Sequence, residues 1–127
     1  MHLHTISTAD APKAIGPYSQ AIAADAFVFV SGQLGLDPET GNLVSEDVRS
    51  QSEQALKNLS AILLAAGTDL DHVVSVDVFL TNMADFQMMN AVYETFFVNH
   101  RPARAAVGVA ALPKGASVEI RCMAVRR

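Results

Sequence analysis

The sequence predicts one α+β domain, a mixed sheet of about six strands with two helices packed on one of its faces. Three observations carry this. The chain has 127 residues, enough to bury one core and too few for two, so residues 1–127 form a single domain. Two stretches, about Asp47 to Ala66 and about Asn82 to Asn99, repeat their apolar residues at helical spacing. The other apolar stretches lie three before the first helix, one between the helices and two after the second, and they alternate or run continuously as strands do. Two such helices cover one face of the sheet, and the other face is left for a partner chain.

In chain order, His2 to Ser7 reads as a short opening strand. Ala11-Pro-Lys-Ala-Ile-Gly-Pro-Tyr-Ser-Gln20 has two prolines and a glycine and is an ordered loop. Tyr18 follows Gly16-Pro17, whose restricted backbone places the ring, either as a packing plug or as a ligand contact. After a short strand at Ala21 to Ala24 and an Ala-Asp-Ala turn, Phe27-Val-Phe-Val-Ser31 is an apolar run expected to be buried on both faces. Ser31-Gly32 at its end leaves room for a ligand near the backbone, although a β-bulge explains the same glycine. Asp37 to Asn42 is a turn by composition.

The first helix carries Val48, Ala55, Leu56, Leu59, Ile62, Leu63 and Ala66 on its apolar stripe, and Gly67 is placed for a left-handed cap. His72 to Leu80 alternates, with Val74, Val76, Val78 and Leu80 expected on one face and Ser75 and Asp77 on the other. Asn82, followed by Asp85, resembles a helix N-cap with an acidic first turn. The second helix buries Phe86, Met89, Tyr93, Phe96 and Phe97. Asn90 falls on or beside that stripe, where a buried amide either ties the helix to a loop or reaches a site.

Pro102 ends the helix and leads to two strands joined by a turn, within Arg101 to Val125. In the first, Arg104 shares a face with Ala106 and Gly108, a shallow floor beside a planar fork suited to a carboxylate or phosphate. In the second, Val118, Ile120, Cys122 and Ala124 form the apolar face, and Glu119 points the other way with Ser117, Arg121 and Met123. The residues alone leave two readings: Arg104 and Glu119 as solvated strand charges, paired or not, or as parts of a site.

Half of the residues are apolar and 17% are charged, which favours a homo-oligomer that buries surface between subunits. A net charge of −4, with Arg126-Arg127 the one basic doublet, argues against nucleic-acid or anionic-membrane partners. Cys122 is the single cysteine, so neither a disulfide nor a zinc framework is supported, and a reducing compartment fits. His2 and His4 alternate without a visible third ligand, so no metal is expected. The N-terminal stretch lacks a basic region followed by an apolar run, and a cytoplasmic location is expected.

Ile15-Gly-Pro-Tyr-Ser-Gln20, Val30-Ser-Gly-Gln33, Asn90-Ala-Val-Tyr-Glu94 with Phe96-Phe97, Pro102-Ala-Arg104, and Leu112-Pro-Lys114 followed by Val118-Glu-Ile120 stand in order along almost the whole chain. Together they resemble the Rid family, the reactive-intermediate deaminases of the YjgF type. That resemblance implies a chorismate-mutase-like subunit, a homotrimer with sites between adjacent subunits, and hydrolysis of enamines and imines such as 2-aminoacrylate and 2-iminobutyrate to 2-oxo acids and ammonia. It implies that Arg104 clamps the substrate carboxylate and Glu119 positions or activates water. Tyr18 would close over the ligand, with Ser31, Gly32 and Asn90 shaping the pocket, and no cofactor is implied. Ala106 stands where the family often has cysteine and is expected to alter the pocket's shape and not the activity. The connection from Val98 to Pro102 is shorter than in many deaminating members and is expected to reshape one wall of the cleft and change which imino acid fits. The rival readings are a small-carboxylate-binding or regulatory trimer without turnover, and a ribonuclease or translation inhibitor, which the acidic balance disfavours.

Overall fold

The computed structural model describes residues 2–126. Strands β1 (Leu3–Ile6), β2 (Ala21–Ala24) and β3 (Phe27–Leu34) form an antiparallel meander. Helix α1 (Val48–Ala65), strand β4 (Val73–Leu80), helix α2 (Phe86–Phe96) and strands β5 (Ala103–Gly108) and β6 (Val118–Val125) follow. The six strands make one sheet in the order β1-β2-β3-β6-β4-β5. Every neighbouring pair is antiparallel except β4 and β5, whose parallel pairing needs a crossover, and α2 supplies it.

The helices cover one face, as expected. Helix α1 starts where the Asp47 carboxylate accepts the Ser50 N–H at 2.8 Å, satisfying a free helix-end donor. It ends at Gly67, whose φ of +84° is the left-handed cap, with Thr68 N donating to Leu63 O at 3.0 Å. Leu56, Leu59, Ile62 and Leu63 of its stripe are buried against Val28, Val76, Val78 and Ile120 of the sheet, each contributing about 1.5–3 kcal/mol by burial. Gly35 lets α1 approach closely, since a Cβ there would stand 2.5 Å from Gln51 Cα. Asn82 accepts the Ala84 N–H at 3.0 Å and caps a short 3-10 turn, Met83–Asp85, that leads into α2.

Four expectations are corrected. Helix α2 ends at Phe96, short of Asn99: Phe97 is buried, but its ψ of 70° is not helical. Strand β3 is not buried on both faces of the chain, since Val28 and Val30 are buried while Phe27 and Phe29 are 47% and 44% exposed on the open face. Val74 does not share the face of Val76. The pairing of β4 with β6 shifts between Val73 and Ser75, so Val73 takes the buried place and Val74 is left exposed. Finally, β5 and β6 are not neighbours, because β4 lies between them.

Candidate functional site

The insertion of β4 decides where the two charged residues go. Glu119 pairs with Leu34 of β3 and Phe79 of β4, and it looks onto the open face together with Arg121. Arg104 pairs with Val76, a buried residue of the helix-covered face. Directly paired residues point the same way, so within one chain Arg104 and Glu119 lie on opposite faces of the sheet. The remaining site residues divide with them.

On the open side a cavity of about 1000 Å³ is lined by Tyr18, Ser31, Gly32, Glu119, Arg121 and Lys114, among others. Gly16 takes a φ of +120°, and Tyr18 N donates to Gly16 O at 2.9 Å, a tight turn about Pro17 that presents the half-exposed ring to the cavity. Ser31 is fixed twice: its N–H donates to Gln20 O at 2.9 Å and its Oγ–H to Ser19 O at 2.6 Å. That hydroxyl proton is therefore committed, and its free lone pairs can only accept. The register between β3 and β6 shifts from Val30 to Gln33, so the bulge reading of Gly32 holds. The close-approach reading holds as well, because a Cβ on Gly32 would stand 2.3 Å from Glu119 Oε2.

Burial pushes the Glu119 carboxyl above the ordinary glutamate range, and the positive charge of Arg121 partly offsets this. Arg121 is itself held by Asp77, Nε to Oδ2 at 3.0 Å, with its guanidinium 5.8 Å from the Phe79 ring centroid. Its part in the cavity was readable from the period-two rule, which sets it on the Glu119 face. Lys114, at a φ of +60°, reaches across to Gly41 O at 2.8 Å and closes one rim.

On the helix-covered side, at the β5 edge, Arg104 is held by α2. Its Nη1 donates to Asn90 Oδ1 at 2.7 Å, and its guanidinium carbon lies 4.7 Å from the Tyr93 ring centroid and 5.5 Å from that of Phe86. Phe86, Asn90 and Tyr93 follow one another at four- and three-residue steps, so one helix stripe makes the whole cradle. Asn90 is thereby assigned to Arg104. Phe86 and Tyr93 were read only as core, and their spacing on either side of Asn90 was the available signal. Burial raises the Tyr93 phenol above its ordinary range, Arg104 opposes the rise and Cys122 adds to it. Cys122 is buried, with its thiol pushed up to about 12 by desolvation, and it does not line the cavity. Ala106 is half-buried beside Arg104, and the connection after α2 is tied down where His100 Nε2 donates to Val73 O at 2.6 Å.

The family model described as Endoribonuclease L-PSP matches residues 8–126. The chain is 53% identical to a mouse protein named 2-iminobutanoate/2-iminopropanoate deaminase, over 95% of this chain and 90% of that one. Among solved structures it matches YyfA of Yersinia pestis, a protein of the Rid family, at 45% identity and a TM-score of 0.95, covering 98% of this chain and 99% of that one. It also matches E. coli TdcF with bound serine at 41% identity and a TM-score of 0.93, again covering 98% and 99%. The family model runs from before β2 to the end of β6 and includes both helices, and the chain belongs to the Rid family.

Proposed function

We propose that the chain is a hydrolytic deaminase of 2-imino and 2-enamino acids, of the kind its mouse relative is named for, releasing 2-oxo acids and ammonia. The observation that carries the reading is Glu119: a half-buried carboxyl with raised proton affinity, packed on Gly32 in a cavity shared with Ser31 and Tyr18. Water adds to the carbon of the protonated 2-imine while Glu119 takes one of the water's protons. Glu119 then passes that proton to the carbinolamine nitrogen, and as ammonia leaves it takes the remaining hydroxyl proton, so that the carbonyl forms, and gives it up to solvent. Ser31 Oγ, able only to accept, suits the N–H of the imine. Arg104 supplies the carboxylate clamp with the donors not used by Asn90. TdcF, with bound serine, offers a relative whose ligand carries such a carboxylate. Because imines hydrolyse readily in water, a site of this economy suffices.

Opposite faces of one sheet cannot grip one small substrate, so the reading requires a neighbouring subunit. We assign the assembly as a homotrimer in which the Arg104 edge of one protomer meets the Glu119 cavity of the next, burying Phe27 and Phe29 of the open face. A carboxylate-binding module without turnover would need Arg104 but not an acid poised in the cavity. The test is a coupled assay in which threonine dehydratase generates 2-iminobutyrate and its loss is followed. Wild type accelerates the loss, while Arg104→Ala and Glu119→Ala do not. When equal amounts of the two inactive variants are unfolded and refolded together, roughly a quarter of all sites regain both groups, and activity returns. No return of activity in the mixture places both groups in the same protomer's site and overturns the assembly.

A further inference from the structure

The cavity wall formed by the segment from Pro12 to Ser19 has no regular secondary structure, yet Pro12, Lys13, Ile15, Tyr18 and Ser19 all line the cavity. A loop of this kind needs something to hold it. Gln20 is 3% exposed, and its amide points back under the loop. Its Oε1 accepts the Thr8 N–H at 2.7 Å, and its Nε2 donates to Thr8 O at 3.0 Å and Pro12 O at 2.8 Å, with Ala11 O at 3.4 Å beside them. All donor and acceptor capacity of that amide faces one loop. Its own carbonyl accepts the Ser31 N–H at 2.9 Å, and the carbonyl of the preceding Ser19 accepts the Ser31 hydroxyl. One residue therefore joins three things: the base of the loop, the turn that presents Tyr18, and the strand end that carries Ser31 and Gly32.

We propose that Gln20 is a positioning residue for the deaminase site, acting by holding the Pro12–Ser19 wall and its tyrosine at a fixed distance from Ser31. This rests on the deaminase reading above. The amide is required for its pattern of donors. Glutamate has the same shape and keeps an acceptor for the Thr8 N–H, but its ionised carboxylate would face two or three backbone carbonyls with nothing to donate. Methionine has similar length and no polar group; it fits among the neighbouring Ala11 and Ala21 of the core and leaves the Thr8 N–H and the Thr8 and Pro12 carbonyls without the partners that Gln20 supplies.

Gln20→Glu and Gln20→Met are measured beside wild type for imine hydrolysis and for amide hydrogen exchange. The expected result is a KM raised about tenfold with kcat within about twofold, because the wall orients bound substrate and does not touch the reacting atoms. Exchange quickens at residues 8–19 and stays as in wild type across α1. Unchanged KM with a loosened wall overturns the positioning role, as does an unchanged wall. Activity that falls only in step with the folded fraction, or failure of both variants to fold, makes Gln20 a residue of global stability and overturns the proposal too. A wild type that leaves the imine's lifetime unchanged overturns the deaminase reading itself, a result distinct from the others.

Discussion

The β5 edge that carries Arg104 and the cavity that carries Glu119 lie on opposite faces of one sheet, and the chain prepares them in different ways. Arg104 is held from outside its own strand by Phe86, Asn90 and Tyr93 of a single helix stripe, which fix the direction of the fork while leaving most of its donors free. Glu119 is prepared by what is missing around it: a glycine without a side chain at Gly32 and a half-buried setting that raises its proton affinity. An anchor needs orientation, which packing supplies. A proton carrier needs a tuned affinity, which desolvation supplies.

The sharpest way to break the carboxylate side is Gly32→Ala. The new methyl would occupy the space of Glu119 Oε2, so the carboxylate must turn away, and kcat should fall about 10²-fold or more with KM little changed. Glu119→Gln should cost as much in kcat yet give a more stable protein at neutral pH. The folded form binds the Glu119 proton more tightly than the unfolded chain, so its contribution to stability falls as pH rises from the unfolded value, about 4.3, through the raised folded one. The stability gap between variant and wild type should therefore close in acid, and a gap independent of pH in thermal unfolding would contradict the assigned shift.

On the arginine side, Asn90→Ala removes one hydrogen bond and leaves both rings. The fork loses direction but not charge, so KM should rise about 5–20-fold with kcat nearly unchanged. A loss confined to kcat would move Asn90 from the anchor to the chemistry. Smaller again is Arg121→Gln, whose effect lies in the pH profile. Arg121 lowers the proton affinity that burial raises, and Glu119 must be ionised to accept a proton from water. Removing Arg121 should move the acid limb of kcat/KM to higher pH and leave the plateau in place; an unmoved limb would assign it to another group.

Much of this was legible along the chain, and the failures share one cause. The two helices, the Gly67 cap and the outward turn of Glu119 follow from local periodicity, and all three hold. Strand order does not follow from local pattern. The turn after β5 suggested two adjacent strands, and nothing between Ala103 and Val125 signals that β4 inserts between them. That one non-local pairing puts Arg104 and Glu119 on opposite faces, where they cannot pair within one chain. Val74 and the end of α2 failed for the same reason at smaller scale: a register shift and a buried Phe97 kept the pattern while the backbone left it. Gln51 and Asn58 were missed on α1 because its buried stripe was read from the apolar residues alone. Both are buried, Gln51 bonding to Ser45 O and Ser117 N, Asn58 to Leu34 O and Leu36 O, and so they brace the strand ends beside Glu119.

Tyr93 is where the two regions can be separated most finely. Its ring packs tilted against Phe97 at 4.7 Å between centroids and supports Arg104, while its hydroxyl is buried without a hydrogen-bond partner among the described residues. An unpaired buried hydroxyl costs about 1–3 kcal/mol of desolvation, so the ring stabilises and the oxygen does not. Tyr93→Phe keeps the ring and deletes the oxygen. It should leave KM and kcat within about twofold and raise the melting temperature by about 3–12 °C. Tyr93→Leu removes the face on which the guanidinium lies and should raise KM several-fold, about the value of one cation–π contact. If Phe at this position instead raises KM as much as Leu does, the hydroxyl has a partner outside the chain, and the proposed assembly must supply that partner from the neighbouring subunit.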